Sequence, residues 1–106
     1  MSTLIRQQRH FLQLFVHTSP TQRNALLSTV TKDQVKALSQ IAHNIIQGVI
    51  HLNAIEKKRL VGHRRLVHLL GKIKLGYKHK QRLVRNKQRV LTTLVAVALN
   101  YLEPVL

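Results

Sequence analysis

Thirteen lysines and arginines lie between Lys57 and Arg89, and no Asp or Glu occurs from Lys57 to Leu102. They form three clusters: Lys57-Lys58-Arg59, then Arg64-Arg65, then Lys72, Lys74, Lys78, Lys80, Arg82, Arg85, Lys87 and Arg89. On a solvated helix, acids four residues from a lysine normally offset such charge. Without them the clusters repel one another until an anion arrives. Phosphate suits this pattern, so all thirteen are expected to bind nucleic acid through its backbone. Across the whole chain 18 basic residues face three acids, for a formal charge of +15. Duplex DNA carries about two negative charges per base pair, so that charge matches roughly seven or eight pairs. A membrane surface and an acidic protein are the other anionic partners such a charge admits.

The remaining reactive side chains assemble nothing comparable. Seven histidines suggest a metal, but His10 and His17 are seven apart and His63 and His68 five apart. Neither pair has the i,i+4 spacing that places two ligands on one helix face. The chain has no cysteine, which removes disulfides, thiolate chemistry and cysteine-based zinc sites. No metal and no cofactor are expected; histidines protonated near pH 6 would only add positive charge. Of the three acids, Asp33 and Glu56 sit where helices begin, and neither pairs with a second group for acid–base work. No Gly-rich phosphate loop, nucleophile elbow or metal-ligand helix is present. The chain is expected to have no catalytic residue and not to be an enzyme.

Helices must position the cations. Hydrophobic residues make up 44% of the 106 residues, with four Gly and two Pro, a balance that favours helices over short strands joined by tight turns. One domain, residues 1–106, is expected: an apolar part over about 3–50, a basic part over about 54–89 and an apolar half-helix over about 90–102. The fold class is all-α, a compact four- to five-helix domain with a long C-terminal helix.

The first helix spans about Thr3 to His17, with Leu4, Phe11, Leu12 and Phe15 near one face. Ser19-Pro20-Thr21-Gln22 is a capping box with proline at the first helical position, opening a helix to about Thr29. That helix is expected to bury Ala25, Leu26 and Val30. Thr31-Lys32-Asp33-Gln34 repeats the signal and opens a stripe of Val35, Leu38, Ile41, Ala42, Ile45, Ile46 and Val49, with Gly48 at its end. A third box, Asn53-Ala54-Ile55-Glu56, opens a helix to about Leu70, closed by Gly71, with Leu60, His63, Val67 and Leu70 in one row. Lys72 to Tyr77 reads as an extended or loop segment. A final helix over about Lys78 to Leu102 carries Leu83, Val90, Leu94, Val97 and Tyr101 at spacings of seven, four, three and four, the seam of a homo-oligomer.

No signal peptide is expected, since Arg6 interrupts the start, and no transmembrane helix, since Ala37–Ile55 is studded with polar residues and Val90–Leu102 is short. Base readout is not expected either. The helices around Gly48–Asn53 have a helix-turn-helix outline, but their linker is long for that motif. The basic half offers only Tyr77 for stacking on unpaired bases.

The segment Gln34-Val-Lys-Ala-Leu-Ser-Gln-Ile-Ala-His-Asn-Ile-Ile-Gln-Gly-Val-Ile50, followed by the basic runs at Lys57–Arg65 and Lys78–Arg82, resembles small basic proteins of Maverick/Polinton-type elements and adintovirus-like DNA viruses of animals. The resemblance covers about residues 22–95 and rests on an Ala-Leu-x-x-Ile-Ala-x-Asn-Ile core ending in Gly48. It implies a virion or genome-packaging context, in a virion or host nucleus, with a capsid protein as a further partner. The expected function is therefore non-enzymatic, weakly sequence-specific binding to nucleic acid, duplex DNA before RNA. Double-stranded RNA or ribosomal RNA binding is the first alternative; a capsid-associated or membrane-active role is the second.

Overall fold

Three capping boxes start three helices. The Ser19, Thr31 and Asn53 side chains each accept from the backbone N–H three residues on, and Gln22, Gln34 and Glu56 reach back to the cap's own N–H. Each box satisfies two donors that a helix start leaves open. The computed structural model describes residues 3–72, 74–85 and 87–102. Over these it has helices α1 (Thr3–Gln7), α2 (Arg9–His17), α3 (Pro20–Ser28), α4 (Lys32–Ile46), α5 (Ala54–Val61), α6 (Arg64–Leu70), α7 (Tyr77–Val84) and α8 (Gln88–Leu102), and no strand.

The fold is all-helical, as expected, but eight helices replace the expected four or five. The extra breaks share one cause. Where one predicted helix would have to serve two neighbours, the chain turns. α1 packs on α4 whereas α2 packs on α8, and the axis breaks at Gln8. α5 packs on α8 whereas α6 packs on α4 and α7, and the break falls at Gly62-His63. The long C-terminal helix is likewise two: α7 lies on α4 and α6, α8 lies on α2, α3, α4 and α5, and Arg85 leaves the helix at ψ 134°.

α4 and α8 are the two central helices. The core joins Phe11, Leu12 and Phe15 of α2 to Val35, Leu38 and Ile41 of α4 and to Leu91, Leu94 and Val95 of α8. Burial of each such side chain is worth about 1.5–3 kcal/mol. Ile5 and Leu27 are buried although neither was expected, while Ala25 and Val49 are exposed. Gly48, at φ +75°, ends α4 in the left-handed region that glycine tolerates. Gly71 serves a different purpose: a Cβ there would lie 2.9 Å from Ile46 Cδ1 and 3.0 Å from the His43 backbone N, so α4 and α6 cross where no side chain fits.

The expected oligomer seam is corrected. Val90, Leu94 and Val97 are 4%, 0% and 4% exposed within the single chain, so its own core already occupies them. Leu83 is half-buried on α7, on the other side of the break, and Tyr101 is exposed. Among the described residues, no helix is long and apolar enough to cross a membrane.

Candidate nucleic-acid interface

Three open grooves collect the basic residues. The first lies between the end of α4, the linker after it, α5 and α6. Ile45, Ile46, Leu52, Leu60, Val61 and Val67 line it, with Lys57, Arg64 and His68. The second lies at the α4–α6 crossing, among His43, Ile46, Gln47, His68, Gly71, Lys72 and Lys74. Ile46 and His68 belong to both, so the two grooves are continuous. The third runs beside the start of α8, among Asn24, His63, Lys87, Gln88, Arg89 and Val90. The third groove shares no lining residue with the other two; its His63 precedes Arg64 of the first groove in the chain.

Together the grooves offer a path of Lys72, Lys74, Lys57, Arg64, Lys87 and Arg89, and among the described residues no carboxylate lines any of them. All six cations are exposed. The turn at Gly62-His63 creates this layout: it swings α6 onto α4 while α5 stays on α8, which places His63 and Arg64 at the junction. Gln88 Nε2, between Lys87 and Arg89, donates to Pro20 O at 3.1 Å and ties the start of α8 to α3.

The other predicted cations distribute differently. Lys58, Arg59 and Arg65 are exposed on α5 and α6 but line none of these grooves, and Lys78, Arg82 and Arg85 are exposed on and beside α7. Lys80 is the correction. It is 8% exposed, and its Nζ donates to Ser39 Oγ at 2.6 Å, while Ser39 Oγ donates to Leu70 O at 2.8 Å. Burial pushes the Lys80 ammonium below the ordinary lysine range. Lys80 thus ties α7 to α4 and α6 and is not offered to a ligand.

Sequence reasoning missed His43, His63, His68 and Asn24 as lining residues. His68 stands four residues after Arg64, a spacing that puts both on one face of α6. His63 was expected in an apolar row but is exposed, because the break rotates it out. His43 had no local signal. It reaches the path only through the α4–α6 crossing, where its Nδ1 lies 3.3 Å from Gly71 O.

Ammonium and guanidinium groups on such a path can each hold a phosphate oxygen, with imidazole N–H groups as further donors. Among the described residues, no three His, Cys, Asp or Glu side chains group closely enough to hold a metal ion. Comparison with protein-family models, curated proteins and solved structures finds no match.

Proposed function

We propose that this chain is a non-enzymatic nucleic-acid-binding protein that holds the phosphate backbone along the α5–α6–α8 path, with weak dependence on sequence. The observation that carries this reading is three grooves, two of them sharing Ile46 and His68, that are lined by six exposed cations and, among the described residues, by no carboxylate. The scale suits a duplex. The longest dimension of the fold is 33 Å, and a duplex of about that length presents a phosphate roughly every 1.7 Å. Affinity arises from counterion release, and backbone contacts carry no base information directly. Duplex DNA is preferred over RNA in this reading, because the resemblance to proteins of virus-like DNA elements suggests a packaged genome, in a virion or nucleus, as the partner.

Fluorescence anisotropy with several unrelated duplexes of DNA and RNA tests the proposal. Arg64→Ala and Arg89→Ala are expected to weaken all DNA duplexes by similar factors. A loss confined to one sequence would instead indicate a base-reading arginine. Tighter binding of duplex RNA would move the assignment to the RNA alternative.

A further inference from the structure

Phosphate binding accounts for the rim of the first groove but not for its floor. Leu60 and Val67 belong to the core, but a nucleic-acid backbone has no use for the exposed Val61 and the half-buried Ile45, Ile46 and Leu52 that join them in one concave surface of about 300 Å³. Both walls present a complete helical face to it: Lys57, Leu60 and Val61 from α5, then Arg64, Val67 and His68 from α6, each at i, i+3 and i+4. Each face opens with a cation; α5 continues with two apolar residues and α6 with Val67 and His68. Val61 stands at 56% exposure, a large side chain left in water.

We infer that this groove docks an acidic amphipathic helix of a partner protein. Helices that lie in grooves insert apolar side chains at i, i+3, i+4 and i+7 and display polar residues along the edges. Val61 and the half-buried Ile45, Ile46 and Leu52 receive the apolar anchors over a floor of Leu60 and Val67, and Lys57 and Arg64 meet carboxylates on the edges. Beyond the shared His68, Lys72 and Lys74 extend the same charge to a second turn of the partner. Charge complementarity decides the occupant. Among the described residues no Asp or Glu lines either groove, so a basic or neutral helix would leave the rim uncompensated. An anionic membrane is disfavoured by shape, because a bilayer surface takes apolar side chains that protrude, whereas these line a concavity. Lys57 and Arg64 also belong to the phosphate path, so an acidic helix and nucleic acid exclude one another there. The partner would regulate nucleic-acid release by mimicking its charge.

The test uses the full chain and a labelled synthetic helix with leucines on one face and glutamates on the other. A peptide of identical composition with the two residue types scrambled serves as comparison. The ordered peptide is expected to bind at least about tenfold more tightly than the scrambled one. Val61→Asn changes an exposed side chain and adds no charge; with unchanged thermal melting, it is expected to weaken the ordered peptide about fivefold. Equal affinity for the two peptides, or no effect of Val61→Asn, overturns the inference. Vesicles of phosphatidylglycerol form a third arm: sensitivity to Val61→Asn there, without peptide discrimination, overturns it in favour of a membrane surface. Failure of the two proposals is separable. DNA binding without peptide discrimination overturns the docking site alone, and peptide discrimination without DNA binding overturns the nucleic-acid assignment alone.

Discussion

Lys80 Nζ donates to Ser39 Oγ at 2.6 Å across 41 residues of sequence, and the serine hydroxyl in turn donates to the Leu70 carbonyl at 2.8 Å. A buried charge thus rests on a hydroxyl that is itself engaged. The two partners are not equivalent. Ser39→Ala leaves the Lys80 ammonium and the Leu70 carbonyl without their partner, and the cost is expected to be about 1–3 kcal/mol in denaturant titration. Lys80→Met removes the buried charge and leaves the serine bonded to Leu70, so it is expected to be neutral or stabilising at pH 7.

The same lysine sets a pH dependence. Burial lowers its pKa from the ordinary 10.5. Below the lowered value both folded and unfolded chains are protonated, and the folded chain carries the full desolvation cost. Between that value and 10.5 the unfolded chain holds the additional proton, so stability rises with pH through this window. Any advantage of Lys80→Met over the parent is therefore expected to shrink as pH climbs toward 10.5. A difference that is flat with pH would mean that the ammonium is solvated.

Gly71→Ala is expected to destabilise the fold by about 1–3 kcal/mol, the range for overpacking a close contact. The added Cβ would meet the His43 backbone at 3.0 and 3.2 Å as well as Ile46 Cδ1 at 2.9 Å. Backbone cannot swing aside as a side chain can. Gly76→Ala, with nothing within 4 Å, is the matched control. Equal melting temperatures for the two variants would contradict the α4–α6 crossing.

Leu94→Ala is expected to cost about 2–5 kcal/mol, the usual range for a buried leucine. Because Leu94 is wholly buried within one chain, the drop in melting temperature should not depend on protein concentration. A concentration-dependent drop would restore the seam between chains.

Local chemistry was legible in the sequence, and tertiary geometry was not. The capping boxes at Ser19, Thr31 and Asn53 lie where spacing placed them, because a cap involves four consecutive residues and nothing distant. Gly48 was legible for the same reason. The breaks at Gln8, Gly62 and Arg85 were not, since each arises because the two flanking segments pack on different helices. Val90, Leu94 and Val97 illustrate a second limit: their spacing identifies a buried face but cannot say whether the covering surface belongs to the same chain. Lys80 shows a third. Amid twelve exposed cations nothing local marks it, and the approach of Ser39 from α4, distant in sequence, gives its ammonium a partner.

The salt dependence of duplex DNA binding, compared between the parent chain and Lys57→Ala/Arg64→Ala/Lys72→Ala/Lys87→Ala, tests the central claim most directly. Six phosphates neutralised along the path give a slope of log affinity against log salt of about −5, which corresponds to roughly a thousandfold loss between 50 and 200 mM. Removing four of the six is expected to flatten the slope by about three to four. Lys32→Ala/Lys36→Ala, on exposed α4 positions away from the grooves, should leave it unchanged. A parent slope near zero, or a fourfold variant indistinguishable from the α4 control, would contradict phosphate binding along this path.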